Sequence, residues 1–511
     1  MVSPNFDLAA AWRELAGLAT HSGRGDAVKM EPHEAITTSP DASSPEAIRR
    51  RSRITALIVA CALFMQNLDS TVISTALPTM ARAFGADPVH MNVALTSYLL
   101  SLAVFIPASG WIADRFGAKQ VFRLAILVFT VGSVLCGRAD SLGFLVAARI
   151  FQGVGGAMMV PVGRLVLLRT VPKHELVAAM AWLSTPALLG PVLGPPIGGF
   201  IVTYFSWPLI FDINIPIGLL GVVLVSKFVE DVREPLHTRF DWRGLALSGT
   251  CLASLMFGLE TAGRGVVEPA LTQAMLGLGV VSALLYAWHA RHTATPLLDF
   301  TLLRHRTFLV AVTGGTLFRI GIGAIPFLLP MMLQLTFGKS AAQSGLITFA
   351  SSLGALLMKP ASTRALRWLG FRDTLVANAV LSAVLLGVIG LFRPDWPTAV
   401  IYTILIAGGF FRSLQFTAYN ALAYADIPRP QMSAATSFYA TVQQVSMTLG
   451  VSAGAASLTI SMAAAGHTTP MLADFTIAFL VVATSTMLST PVSLLMPRHA
   501  ATEVSGHAQR G

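Results

Sequence analysis

Gly190-Pro191-Val192-Leu193-Gly194-Pro195-Pro196-Ile197-Gly198-Gly199 lies inside an apolar run, residues 177–203, that carries no charged side chain. Glycines four residues apart let one helix approach another closely. The prolines remove backbone donors and bend the helix that holds them. About 20 apolar residues are enough to cross the hydrocarbon of a bilayer, and a helix satisfies its own backbone there. The whole chain matches this one segment. Its 511 residues are 54% hydrophobic and 12% charged, with a mean hydropathy of +0.68. Soluble domains carry about 25% charged residues. A water-soluble protein of this length lacks the charge to cover its surface, whereas a lipid-facing surface needs none.

Working outward, fourteen segments are long and apolar enough to be spans: 54–79, 91–113, 121–138, 142–168, 177–203, 209–228, 243–262, 270–290, 307–335, 343–362, 374–392, 398–423, 433–463 and 473–496. Cytoplasmic connections are enriched in Lys and Arg, which tests the count. With the N-terminus in the cytoplasm, only Arg82, Arg138, Arg264, Lys339 and Arg393 fall on the outer side. Arg149, Arg319 and Arg412 fall deeper within spans, and the rest of the 35 Lys and Arg are counted with the cytoplasmic tails and connections, together with the span ends that adjoin them. A miscounted span would invert the asymmetry beyond the error, and no inversion occurs. The reading is an all-α polytopic membrane protein with both termini cytoplasmic. Residues 1–52, polar and ending in Arg49-Arg50-Arg51-Ser52-Arg53, read as a disordered tail. Residues 498–511 read as a second, short tail.

The net charge of +10 does not indicate nucleic-acid binding, because the basic residues lie between apolar runs and not on a soluble basic patch. Cys61, Cys136 and Cys251 have no metal-ligand spacing and read as small packing residues. The sequence shows no nucleophile–base pair, metal cluster or phosphate loop. An enzyme is therefore not expected, nor is a cofactor or a metal.

Three further motifs carry chemistry. Gly110-Trp111-Ile112-Ala113-Asp114-Arg115-Phe116-Gly117-Ala118-Lys119 joins the second and third segments. Gly117 can take a positive φ, and Asp114 can pair with cations or helix ends. Arg149-Ile150-Phe151-Gln152-Gly153 places a cation about seven residues into the fourth segment, which costs roughly 2.5–3.5 kcal/mol on insertion scales and so calls for a partner, a wet cavity or a reach to the outer interface. Leu68-Asp69-Ser70-Thr71 places the one acidic residue well inside a span.

Together these motifs resemble the major facilitator superfamily, over roughly residues 53–497. GxxxGPxxGG at 190–199 matches that family's antiporter signature in full. With fourteen spans, the chain is similar to the drug:proton antiporter branch, and Trp207-Pro208-Leu209-Ile210-Phe211-Asp212-Ile213-Asn214 also fits that branch. Ala118, Pro208 and Asp212 depart from the residues usual at their positions. The resemblance implies two six-helix halves, 53–228 and 301–497, with two extra central helices in an insert at 229–300. It implies proton-coupled export of small amphiphilic compounds by alternating access, in the cell membrane, here a bacterial inner membrane. The alternative is a substrate-specific carrier of the same fold, for an organic acid or another small metabolite. The expected partners are a small-molecule substrate, protons and the lipid bilayer. Pumps of this branch sometimes dock a periplasmic adaptor, which nothing here shows.

Such halves are parallel repeats. Arg412-Ser413-Leu414-Gln415 repeats the spacing of Arg149 to Gln152, and the segment holding Arg364, Arg367, Gly370 and Arg372 is a degraded cousin of 110–119. An exchanger needs a titratable group reachable from either side. Asp69 is the candidate coupling carboxylate, with Arg149 as its partner or, failing that, a lock that only packs helices. Burial favours a carboxyl's protonated form and a nearby cation favours the ionised one, so such a group can be tuned. Asp212 is a second acidic candidate, near an outer boundary. Arg319, Arg412, Gln415, Phe64 and Met65 are the candidate substrate residues, and the two arginines could clamp a carboxylate. Gly110, Asp114, Arg115, Gly117 and Lys119 are the candidate gating loop. Gly190, Gly194, Pro195, Gly198 and Gly199 form the exchange motif.

Overall fold

The computed structural model describes residues 45–85, 88–230, 239–261, 268–466, 468–497 and 500–507. Residues 48–511 form one compact unit, and among the described residues it contains no β-strand. All fourteen expected spans are helical. They correspond in order to α1 (Pro45–Phe84), α2 (Pro88–Phe105) with α3 (Ser109–Phe116), α4 (Ala118–Gly137), α5 (Leu142–Thr170), α6 (Leu176–Tyr204), α7 (Leu209–Asp212) with α8 (Asn214–Phe228), α9 (Trp242–Thr261), α10 (Pro269–His292), α11 (Arg306–Gly323) with α12 (Ile325–Leu335), α13 (Ala341–Gly390), α14 (Thr398–Leu422), α15 (Met432–Ala465), and α16 (Leu472–Met487) with α17 (Ser489–Leu494). A one-turn helix, α18 (Thr502–Ser505), follows. Among the described residues, eleven helical stretches are long and apolar enough to cross a membrane, one of them the 48-residue stretch Gln343–Gly390.

The departures from fourteen plain rods have local causes. Four expected spans are each broken into two helices, and each break sits at or just before Pro107, Pro216, Pro326 or Pro491, where a missing N–H and the proline ring disfavour continuation. The tenth and eleventh spans join as α13, yet Gly370 within it has φ +72°. Gly117, between α3 and α4, has φ +89°. Both turns therefore need a residue without Cβ, and the likeness between the two connections holds in the backbone. Residues 1–44 lie outside the described residues, but α1 already begins at Pro45, a residue whose fixed φ suits a first helical turn.

Two of the cations counted on the cytoplasmic side lie in helix interiors. Arg164 lies in α5, 6% exposed. Lys359 lies in α13, and its Nζ donates to Thr417 Oγ1 at 3.3 Å. In α4 and α5 the helix axes approach where glycine removes the side chain. A Cβ on Gly155 would stand 2.6 Å from Phe129 N and 2.8 Å from Ala125 O. The largest buried cluster joins the first six spans to the last six, through Tyr98, Phe122 and Phe129 on one side and Phe308, Tyr424 and Tyr439 on the other. The inserted α9 packs on α10, α2 and α15. Its partner α10 presents Val280, Val281, Leu284 and Trp288 outward, as a lipid-facing helix does.

Because the atoms facing Gly155 are backbone, they cannot rotate away. Gly155→Leu is expected to destabilise the folded protein by about 1–3 kcal/mol, the usual cost of overpacking. Denaturant unfolding in detergent micelles would measure it, and an unchanged midpoint would contradict the close approach of α4 and α5.

Candidate functional site

Asp69 sits in the middle of α1 with its side chain buried. Oδ2 accepts from Arg149 Nη1 at 2.6 Å. Oδ1 accepts from Gln152 Nε2 and from Asn214 Nδ2, each at 2.9 Å. An ionised carboxylate can only accept, and here it meets three donors, one of them charged. The two amides are aimed in turn by Ser133 of α4, whose Oγ accepts from Gln152 Nε2 at 2.9 Å and from Asn214 Nδ2 at 2.8 Å. Arg149 is fully buried. Its Nη1 also donates to Gln152 Oε1 at 2.6 Å, and its Nε to the Ala94 carbonyl at 3.2 Å. The Tyr98 ring lies beneath its guanidinium, 4.2 Å from centroid to Cζ. That face adds a cation–π attraction.

The glycine motif explains how α1 is held there. A Cβ on Gly190 would stand 2.7 Å from Asn67 Cβ and 2.9 Å from Leu68 N. One on Gly194 would stand 2.7 Å from Thr71 Cβ. Thr71 Oγ1 donates to the Gly190 carbonyl at 3.3 Å. Helix α6 thus lies directly on the turn of α1 that carries Asp69. Gly198 is buried and Gly199 half-buried, while the side chain of Pro195 lies outside the described residues.

The 110–119 segment forms a different kind of contact. Asp114 pairs with Arg169 Nη2 of α5 at 2.7 Å and accepts from Ser433 Oγ of α15. Its cation therefore comes from a neighbouring helix, while Arg115 is exposed and Lys119 half-buried. Ser437 Oγ donates to the carbonyls of Pro107 at 2.7 Å and Ile106 at 3.1 Å. Gly110 faces the Ser433 backbone, where a Cβ would stand 2.6 Å from the carbonyl oxygen. Deeper in, Arg164 Nη1 donates to Tyr424 Oη at 3.1 Å and to Gln443 Oε1 at 2.8 Å. The first and last six spans are thereby joined at the end that carries residues 110–119.

The other candidates divide. Asp212 pairs with Arg138 at 3.3 Å, and that arginine is 61% exposed, so the pair lies outside the buried network and contributes little. Gln415 is fully buried. Asn378 Nδ2 donates to its Oε1 at 2.9 Å, and its own Nε2 donates to the Leu375 carbonyl at 3.1 Å. This repeats the Gln152–Ser133 contact between the equivalent helices. Arg412 does not repeat Arg149; its partner is Ser351 Oγ of α13. Arg319 is 1% exposed. It donates to Tyr439 Oη and stacks on that ring at 4.8 Å and on Phe416 at 5.6 Å. Phe64 is half-buried and Met65 fully buried in the apolar core, so Met65 lines no open space in this conformation. The sequence did not single out Asn214, Ser133, Arg164 or Tyr439. Arg164 left a signal as a cation inside the 142–168 segment, and Asn214 only as part of the 207–214 motif.

Removing one partner of a buried ion pair typically costs 3–5 kcal/mol. Asp69→Asn and Arg149→Gln should each destabilise by about that much, and the double variant by clearly less than their sum; an additive double-mutant cycle would show the pair to be uncoupled. Gly110→Val should force α3 away from α15. Spin labels on the exposed positions Arg115 and Arg429 should then report a longer distance by electron–electron double resonance, and an unchanged distance would remove Gly110 from the closed contact.

Comparison with known proteins agrees with this architecture. Residues 59–451 match the Major Facilitator Superfamily. A protein of Klebsiella pneumoniae provisionally named multidrug resistance protein MdtD is 39% identical over 395 residues, covering 77% of this chain and 83% of its own. Proteins of the same provisional name from Pectobacterium atrosepticum and Escherichia coli are 39% and 38% identical, over 77% of this chain and 84% and 83% of theirs. Among solved structures, the proton:xylose symporter XylE superposes with a TM-score of 0.63 at 14% identity, covering 90% of this chain and 99% of its own. The human organic anion transporter MFSD10 gives 0.61 at 15% identity, covering 86% and 99%. With its helical membrane-spanning bundle and these matches, the chain belongs to the Major Facilitator Superfamily.

Proposed function

We propose that this protein exports small amphiphilic compounds in exchange for protons, with Asp69 as the group that carries the proton. The observation that supports this reading is the arrangement around its carboxylate: three donors, one cation, and exposure of only 3%. Such a network suits one protonation state only. A proton on Asp69 turns an acceptor into a donor and removes the charge that holds Arg149. The contact must then rearrange, and Asn214 Oδ1, which has no partner among the described residues, becomes an acceptor for the new hydroxyl if the amide turns. Because α1 lies against the glycine face of α6, a change at Asp69 is felt at the same place where two helices would slide. The relatives named for multidrug resistance favour the exchange of drugs and similar amphiphiles over a single metabolite.

In this reading residues 53–228 and 301–497 are the two halves that rock, 229–300 is the insert, and 1–52 and 498–511 are tails. The basic connections, and both termini, face the cytoplasm of the bacterial cell. The contacts at Asp114, Ser433, Ser437 and Arg164 then close the protein to the cytoplasm. Opening there means breaking the hydrogen bonds between α3, α5 and α15 and carrying Asp69 to the other water. The 498–511 tail takes part as well, since Glu503 reaches Lys173 at 3.1 Å.

Purified protein in vesicles with an imposed pH gradient should drive uptake or release of a fluorescent amphiphile such as ethidium or a naphthyl carboxylate. Asp69→Asn should abolish the pH-driven component while leaving the protein inserted. Gradient-driven transport at the wild-type rate in Asp69→Asn would defeat the coupling role.

A further inference from the structure

We infer that Arg319 and Arg164, gathered around Tyr439 between the two halves, form a binding site for an amphiphilic organic anion, a carboxylate on an apolar or aromatic body. The inference deepens the exchanger reading and rests on it for the identity of the cargo.

Both guanidiniums lie over the same ring, Arg319 at 4.8 Å and Arg164 at 5.6 Å from the Tyr439 centroid. Both are more than nine-tenths buried. Their hydrogen-bond partners are all neutral: Tyr439 for Arg319, and Tyr424 and Gln443 for Arg164. Donors are left over, since Arg319 Nε and Nη1 and Arg164 Nε have no partner among the described residues. The contrast with Arg149 is direct, because that buried arginine has Asp69 at 2.6 Å. Here no protein carboxylate is at hand. Between residues 306 and 465 the only acidic residues are Asp373, Asp395 and Asp426, and all three are exposed. On the facing helices, Asp114 is engaged by Arg169 and Asp69 by Arg149.

Buried cations in a membrane protein face a partner or a pathway, and a planar guanidinium with free N–H groups is shaped to take a carboxylate in two bonds. The surroundings specify the rest of the ligand. Phe416, Tyr424 and Tyr439 supply aromatic faces within 6.0 Å of the two cations, which suits an apolar body carrying one negative end. Arg164 comes from α5 and Arg319 from α11, so one anion held by both would bridge the two halves. Of the two arginines expected from the sequence to act as a clamp, Arg412 is turned to Ser351; Arg164 takes its place.

The test is calorimetric titration of the purified full-length protein with 1-naphthoate, neutral 1-naphthamide and the cation tetraphenylphosphonium. Naphthoate should bind at least tenfold more tightly than the amide. Arg319→Gln and Arg164→Gln should each weaken naphthoate at least tenfold without weakening tetraphenylphosphonium. Since Arg164 also joins the halves, Arg164→Lys serves as a second variant: it keeps the positive charge without the planar fork and should recover part of the naphthoate affinity that Arg164→Gln loses, and no recovery would overturn the direct role of Arg164. Equal binding of naphthoate and naphthamide, or arginine variants that bind naphthoate as wild type does, would overturn the anion site. Asp69→Asn separates the two readings. Naphthoate binding retained there, together with loss of pH-driven transport, supports both. Retained binding with undiminished pH-driven transport overturns the coupling role alone. Failure of naphthoate to bind any form, while Asp69→Asn stops transport of tetraphenylphosphonium, overturns the anion site alone.

Discussion

A single negative charge with no water around it sets the terms for the first six helices. Asp69 cannot be buried alone, because an unpaired carboxylate in a low-dielectric interior would give up its charge or unfold the site. It is tolerated because Arg149 and Gln152 of α5 and Asn214 of α8 converge on it. Each of those segments must then hold a fixed rotation about its own axis. Ser133 aims two of the donors and Tyr98 supports the third from below. The same demand sets the spacing between α1 and α6, since any side chain at Gly190 would lift α6 off the turn that carries the carboxylate.

The second set of helices lacks this organising charge, and its polar interior is arranged differently. The repeat relation survives in the glutamine, where Gln415 meets Asn378 as Gln152 meets Ser133. It fails at the arginine. Arg149 closes an ion pair, Arg412 reaches only a serine, and Arg319 stacks on rings. Arg149 is thus balanced by a carboxylate, whereas Arg319, Arg412 and, on the first half's side of the seam, Arg164 have neutral partners. In the reading proposed above, the proton belongs to the balanced pair and the cargo to the seam between the halves.

Much of this was legible in the sequence because charges inside spans are rare and costly. Asp69 and Arg149 stood out for that reason alone, and the fourteen helices followed from apolar runs and from the placement of Lys and Arg. The breaks at Pro107, Pro216, Pro326 and Pro491 were visible as prolines but not as breaks, since a membrane helix can carry a proline without ending. Ser133 gave no signal, and Asn214 was visible only as part of the 207–214 motif, with no role attached. An amide or hydroxyl is cheap in any helix, and its meeting with Asp69 depends on helix rotation, which periodicity does not specify. Arg164 resembled the first cation of a connection. It lies near the cytoplasmic end of the 142–168 segment, and only its contacts with Tyr424 and Gln443 show that it faces inward.

The contact between Ser437 and the carbonyls of Ile106 and Pro107 is half side chain and half main chain. Those carbonyls lie in the short 3-10 turn around Pro107, where the Ile106 oxygen also accepts from the Ser109 N–H and from Ser109 Oγ at 2.7 Å. Every amino acid that could replace Ile106 would still present the same oxygen. Genetic drift can therefore silence this lock from one side only, through Ser437, and the opposing surface remains ready to re-form it whenever a hydroxyl reappears there.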